Sequence, residues 1–380
     1  MSLRSVPVSG DETPVLAARG LTKHFTIAGS LLPWKQRKVL HAVDDVDLDL
    51  WAGHVTALVG ESGSGKSTVA RLLAQLYVPT TGSVLFKGQN VAKHGRLRGK
   101  RYYRSQVQMI FQDPFSSLNP VKRIQHHIER PLRIHKVLRR ERASSDGSEG
   151  KRASGMLARI PVIGGRLSGG HSLVSQRVGE LLTTVGLIPP EEFARSFPHQ
   201  LSGGQRQRVA VARALAVEPI AILADEPISM LDVSIRIGIM NLMLKLKEEH
   251  NLAFLFITHD IASARYVADE VVVMYAGHVV ERGATDDVLQ SPLHPYTRLL
   301  LAAVPNPEAG LQTRRVEARG EVPSIVNPAP GCRFAARCPS VMEECRSNTP
   351  ELGKEGKEQW VRCHLYPARL SPSKDLTLAS

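Results

Sequence analysis

Aromatic residues make up only 5% of the 380-residue chain, and it has just four cysteines. Its apolar runs are short; Leu252–Ile257, Val271–Tyr275 and Leu299–Val304 are typical. None approaches the ~20 residues needed to cross a bilayer, so no transmembrane helix is expected. Residues 1–13 lack the apolar stretch of a secretory signal, and the chain is expected to stay in the cytoplasm. A chain of this length buries a core without disulfide staples. All four cysteines lie between 332 and 363, and in a reducing compartment such a cluster points to a metal or cluster site over disulfides. Acidic charge is the scarcer sign. Lys and Arg total 49 against 36 Asp and Glu, a net charge of +13. That excess suits an anionic partner, whether nucleic acid, an acidic membrane face or nucleotide phosphates, and charge alone does not choose among them.

Along the chain, Val46, Leu48 and Leu50 alternate with Asp45, Asp47 and Asp49, the period of a half-buried strand. A second strand, His54 to Val59, runs into Gly60–Gly65. A helix should follow, with Val69, Leu72, Leu73 and Leu76 on one face and Pro79 just past its end. The middle, 113–217, is richer in helical pattern and basic charge. Within it, 139–175 is rich in Ser, Gly and Arg and reads as a mobile insertion. The strand pattern returns at Ile220–Ala224, Leu252–Ile257 and Glu270–Tyr275. Ile235, Ile239, Leu242 and Leu246 mark a helix between the first two. This alternation predicts an α/β fold with a buried, mostly parallel sheet. After Pro305 the periodicity fades, and 306–380 reads as a small separate Cys-rich module.

Gly60-Glu61-Ser62-Gly63-Ser64-Gly65-Lys66-Ser67 fits G-x-x-x-x-G-K-[ST] in full. Its glycines let backbone N–H groups turn toward phosphate oxygens, and the following helix adds its positive N-terminal dipole. Lys66 reaches the β- and γ-phosphates and the Ser67 hydroxyl binds Mg²⁺; Thr68 extends the ATP-binding stretch. The apolar strand Ile220–Ala224 leads into Asp225 and Glu226. Beside a phosphate loop, Asp225 is placed to hold Mg²⁺ and Glu226 to polarise the attacking water. Ser202, Gly203, Gly204 and Gln205 open another helix N-terminus able to take an anion. One chain does not easily bring two such termini to one triphosphate, so the second is expected to come from a partner chain. Leu167–Gly170 carries the same Leu-Ser-Gly-Gly without the following Gln-Arg-Gln-Arg, and reads as a decoy.

In this order the motifs resemble an ATP-binding-cassette ATPase subunit of a transporter over residues 14–305. The resemblance rests on the phosphate loop, Gln112 in Phe111-Gln112-Asp113-Pro114, the Leu201–Gln205 signature and the Asp225-Glu226 strand. Ser229-Met230-Leu231-Asp232 and His259 in Thr258-His259-Asp260 complete it. It implies a P-loop NTPase (RecA-like) core with a helical subdomain and an antiparallel β edge. It also implies that Gln112 joins the Mg²⁺ and couples the γ-phosphate to the membrane partner. By the same resemblance His259 contacts the γ-phosphate, Asp232 crosses a dimer interface and Phe25 stacks on adenine. A core Phe on a first strand is the competing reading of Phe25.

Phe111–Pro120, His294-Pro295-Tyr296-Thr297-Arg298, Gly331-Cys332-Arg333-Phe334 and the segment Ala28–Val39 resemble the oligopeptide/dipeptide importer ATPases, a group that includes nickel importers. The cysteines Cys332, Cys338, Cys345 and Cys363 are spaced C-x5-C-x6-C-x17-C, unlike the short knuckle of most zinc sites. Four thiolates suit an iron–sulfur cluster, and the resemblance implies 4Fe-4S, with zinc second and free core thiols third. The expectation is therefore an ATP- and Mg²⁺-dependent subunit on the cytoplasmic face of the inner membrane. Its expected partners are a second, paralogous cassette subunit, two transmembrane permease subunits and an extracytoplasmic solute-binding protein, with no nucleic acid. The alternatives are a nickel or other small-solute importer, or a soluble cassette ATPase of nucleic-acid repair or translation.

Overall fold

A computed structural model describes residues 13–27, 38–93, 97–135, 137, 173–303, 323–356 and 358–366. The expected tail 1–13, apart from Thr13, lies outside these residues. So do the insertion through residue 172, the Leu167–Gly170 copy and most of Ala28–Val39. In chain order the strands are β1 (Leu16–Ile27), β2 (Lys38–Leu50), β3 (Val55–Val59), β4 (Thr81–Phe86), β5 (Gln89–Asn90) and β6 (Val107–Ile110). They continue with β7 (Ala221–Asp225), β8 (Ala253–Thr258), β9 (Glu270–Tyr275), β10 (His278–Ala284), β11 (Gly353–Glu355) and β12 (Gln359–Val361). The described residues divide into two compact units, one of residues up to 93 and from 254 onward, the other spanning 94–253.

In the first unit, β2, β1, β4 and β5 form an antiparallel sheet. The alternation in β2 has its expected cause, since Val46, Leu48 and Leu50 are buried. The other strands of this unit bond in the order β11-β12-β10-β9-β3-β8. β3 lies parallel to both β8 and β9, while β9, β10, β12 and β11 run antiparallel in succession. The sheet is therefore mixed, where the sequence pattern suggests mostly parallel. β3 and β8 carry no polar side chain that is exposed, because strands covered on both faces read as continuous apolar runs. The helix after β3 ends at Leu73, so Leu76, predicted to share its apolar face, lies beyond the helix and is 51% exposed.

The carboxyl-terminal segment is not set apart as the sequence suggests. β12 pairs with β10, and Phe334, 1% exposed, sits in one apolar cluster with Val59, Val273, Tyr275 and Tyr296. Cys332 and Cys338 pack against that cluster.

In the second unit, β6 and β7 pair in parallel, Val107 opposite Ala221 and Ile110 opposite Ala224. Helices Ile124–His135, Leu173–Thr184, Pro190–Arg195 and Gly203–Leu215 form the helical part. Helix Val233–His250 buries Ile239, Leu242 and Leu246 of the predicted face, while Ile235 is only half-buried. This unit is wider than the predicted 113–217 because it includes both strands and that helix.

Candidate active site

In the first unit β3 ends at Val59, and the chain turns through Gly60–Gly65 into helix Lys66–Leu73. Gly60, Gly63 and Gly65 have φ of +151°, +79° and +104°, a region open mainly to glycine. Packing adds a second demand at two of them. A Cβ on Gly60 would lie 2.1 Å from the Met274 carbonyl oxygen, and one on Gly65 2.3 Å from that of Ala42. No side chain caps the helix that follows, so its first N–H groups and positive dipole end face the loop. Lys66, 4% exposed, donates from Nζ to the carbonyls of Gly60 and Glu61, each at 2.8 Å, and to Ser64 Oγ at 3.3 Å. The loop thus wraps two carbonyls and a hydroxyl around one buried ammonium, which holds that charge in the loop for a polyphosphate.

Other predicted residues of this unit lie close by in the fold. Val59 and Thr258 are paired across β3 and β8, so Gly60 and His259 leave the same ends of adjacent parallel strands. His259 is exposed, and Asp260 caps the next helix by accepting from Ala262 N and Ser263 N. Phe25 on β1 is half-buried, edge-on to Tyr77 at 5.5 Å, with Lys23 Nζ 5.0 Å from its ring centre. Its environment is therefore not the core.

The second unit holds the carboxylates. Asp225, 2% exposed, ends β7. Glu226 follows with φ +45°, which turns its half-buried side chain out of the strand. Gln112 Nε2 donates to Glu226 Oε2 at 3.0 Å, bringing together two residues 114 apart in sequence. Ser202 caps helix Gly203–Leu215: its Oγ accepts from Gln205 N at 3.2 Å, and Gln205 Oε1 accepts from Ser202 N at 2.9 Å. Gln205 is thereby committed to shaping the turn. A Cβ on Gly204 would meet Ile235 Cγ2 at 2.5 Å, so that glycine seats the signature helix on helix Val233–His250. Asp232, exposed, stands at the start of the latter helix.

Two contacts of the phosphate loop are invisible in the motif. Tyr296 Oη accepts from Glu61 N at 2.9 Å, and Arg337 Nη1 donates to Glu61 Oε2 at 2.8 Å. Behind the loop, Asp44 is bonded by His24, Arg333 and His41, the last at 3.1 Å. Burial opposes the charge of Asp44, but these hydrogen bonds and the Arg333 charge prevail and hold its carboxyl below the usual range. Tyr296, Arg333 and the neighbour of Arg337 belong to stretches singled out by resemblance; nothing in their spacing showed that they face the loop.

The cysteines are free thiols, Cys345 and Cys363 buried and Cys332 and Cys338 half-buried. The four converge, since the Cys332 thiol feels the charges of Cys338, Cys345 and Cys363. Burial pushes the Cys332 thiol up to about 11, and raises Cys338 and Cys363 as well. Backbone N–H groups of Phe334, Ser340 and Leu365 bond the sulfurs of Cys332, Cys338 and Cys363 and favour their thiolates. Buried thiols supplied with N–H donors fit a cationic occupant. Among the described residues, no three of these sulfurs lie within 4.8 Å of one another.

A glycine-specified phosphate loop on a mixed sheet, with a strand-end carboxylate pair and a capped signature helix, defines an ATP-binding cassette of the ABC class. The ABC transporter family matches residues 43–229, and the oligopeptide/dipeptide transporter C-terminal region matches 280–345. The chain is 39% identical to the oligopeptide transport ATP-binding protein AppF of Bacillus subtilis, over 94% of this chain and 99% of that protein. It is 37% identical to the dipeptide transport ATP-binding protein DppF of Escherichia coli, over 96% and 98%. A dimeric ATP-binding cassette solved in a post-hydrolysis state with ADP and Pi superposes with a TM-score of 0.54 at 28% identity, covering 71% of this chain and 98% of that one. The chain belongs to the family of ATP-binding subunits of oligopeptide/dipeptide ABC transporters.

Proposed function

We propose that the protein is the ATP-hydrolysing subunit of a membrane importer for oligopeptides or dipeptides. The observation that carries the reading is the phosphate loop around Lys66, in a chain that matches such subunits over nearly its whole length. Residues Gly60–Thr68 bind the triphosphate, and Phe25 is the adenine-facing aromatic. Glu226 is the general base, oriented by Gln112, and His259 is a γ-phosphate contact. Ser67, Asp225 and Gln112 are the Mg²⁺ residues, and the ion supplies neutralisation of phosphate charge. Ser202, Gly203, Gly204, Gln205 and Asp232 act on the nucleotide of a second cassette subunit. No helix among the described residues is long and apolar enough to cross a membrane. The protein sits at the cytoplasmic face of the inner membrane, against two transmembrane permease subunits that carry out translocation. A solute-binding protein delivers the peptide. Cys332, Cys338, Cys345 and Cys363 hold a 4Fe-4S cluster, which supplies a cross-link between the 332–345 and 363 stretches.

The test is reconstitution of the full complex in proteoliposomes. The expected result is ATP-dependent uptake of labelled di- and oligopeptides, with ATP hydrolysis stimulated by peptide-loaded binding protein. Uptake of nickel with no peptide uptake would move the substrate class. Hydrolysis by a chain that never associates with permease would remove the transport reading.

A further inference from the structure

Glu61 is an awkward residue in its place. It puts a carboxylate inside a loop whose task is to receive a polyanion, and like charges at such range repel strongly. The structure shows how the charge is handled. Arg337, 8% exposed, donates to Glu61 Oε2 at 2.8 Å and to Tyr275 Oη at 3.3 Å, and its guanidinium lies 5.8 Å from the Tyr275 ring centre. Its buried Nε has no hydrogen-bond partner. A buried guanidinium with so few polar contacts depends on its one carboxylate, and the carboxylate on it. The Lys66 ammonium is directed at the Gly60 and Glu61 carbonyls and Ser64 Oγ.

Arg337 also has a rigid mount. It ends the short turn Ala335–Arg337 between the buried Phe334 and Cys338, and its N–H donates to the Phe334 carbonyl at 2.9 Å. The Phe334 ring lies 5.2 Å from that of Tyr275 and 5.5 Å from that of Tyr296. Tyr296 in turn accepts from Glu61 N at 2.9 Å. One aromatic cluster thus fixes both the backbone and the side chain of Glu61.

We propose that Arg337 is a positioning residue for the phosphate loop, neutralising Glu61 so that the loop accepts the triphosphate of a nucleotide. The inference rests on the ATP-binding reading above. It makes nucleotide affinity a property of the cysteine-bearing segment as well as of the glycine loop. Arg337 acts on binding and not on the chemical step, so its loss should raise KM for ATP and leave kcat in place.

The experiment is a charge-rescue cycle on the full-length chain, read by fluorescence titration with mant-ATP and by steady-state hydrolysis. Arg337→Ala, with Arg337→Gln as the variant that keeps more of the side chain, should weaken mant-ATP binding about tenfold, within the ~5–150-fold span of ordinary coupling between sites. The loss should shrink at high salt, because it is a charge effect. Adding Glu61→Gln to either variant should recover most of the affinity. A merely structural arginine would not be rescued in this way, since the amide restores no contact of the 335–337 turn. If the double variant binds as weakly as the single one, or if kcat falls with KM unchanged, the proposal is wrong. A parent chain that binds no mant-ATP would overturn the ATP-binding reading itself. A parent that binds, with Arg337 variants that bind equally well, would overturn only this inference.

Discussion

Replacing Glu226 by Gln changes the reaction while leaving the site intact. Glu226 sits at the end of β7 with φ +45°, and its Oε2 accepts from Gln112 Nε2 at 3.0 Å. Glutamine has the same length and keeps one side-chain oxygen, so the hydrogen bond from Gln112 survives. The amide does not accept the proton of an attacking water. Loss of a positioned general base costs about 10²–10⁴ in rate. At 1.36 kcal/mol per tenfold, that is about 2.7–5.4 kcal/mol on the barrier. Gln112→Ala gives the comparison. It removes one hydrogen bond to a charged group, about 1.5–3 kcal/mol at most, and Gln112 is exposed, so water replaces part of it. Glu226→Gln should therefore be the slower of the two. Phosphate release from the reconstituted complex measures the rate, and nucleotide retention on a sizing column tests for an ATP-bound dimer that forms and does not turn over. A Glu226→Gln complex that keeps more than a tenth of parental turnover would refute the assignment.

Lys66→Ala should weaken nucleotide binding itself, by at least about tenfold, because the charge-assisted bonds to phosphate are lost; unchanged affinity in equilibrium dialysis rules the role out. In a mixed dimer, Gly204→Asp in one subunit and Lys66→Ala in the other should leave about half the parental hydrolysis, since both lesions fall on one composite site; loss of both sites would mean that the signature serves its own chain. Cys338→Ser should bleach anaerobically purified protein from about four irons per chain and lower its melting temperature; a colourless parent with one equivalent of zinc keeps a metal site and removes the cluster. His294 is buried and neutral, its Nδ1 accepts from Tyr296 N, and burial first, then the Arg298 charge, lowers its pKa to about 3. Its folded pKa lies below the unfolded value near 6.5, so its contribution to stability is present above pH 6.5 and lost as pH falls toward 3. Denaturant titrations from pH 7 to 4 should show this slope, reduced in His294→Gln.

Much of the site was legible because the constraints are local. A phosphate loop needs its glycines, lysine and hydroxyl within eight consecutive residues, and a strand that ends in Asp-Glu announces itself by its apolar run. Helix Val233–His250 could be read from Ile239, Leu242 and Leu246 because one buried face repeats every turn. The errors lie where local pattern and packing part. Leu76 continues the spacing of Val69, Leu72 and Leu73, but the helix ends at Leu73, where Ala74 and then Gln75 at φ +55° end the helical run. The sheet is expected to be mostly parallel from the alternation of Ile220–Ala224, Leu252–Ile257 and Glu270–Tyr275 with helical pattern, a reading that does not include β10 after β9. Yet the two residues between them, Ala276 and Gly277, both have positive φ, which makes a tight turn and an antiparallel pair.

The carboxyl-terminal segment shows a different limit. Residues beyond 305 have no sustained period, since they are held by single anchors: Phe334 in an aromatic cluster, Val361 on an edge strand, Arg333 on Asp44. An anchor of this kind has no repeat to detect. For the arginines the partner is also more than 200 residues away, as Asp44 is from Arg333 and Glu61 from Arg337. The residues that prepare the loop therefore lie in the part of the chain that reads as least structured. That argues for treating the cysteine-bearing segment as part of the nucleotide site's framework: removing it would expose Tyr275 and Tyr296 along with the Glu61 charge, and would disturb the phosphate loop without touching a residue of its motif.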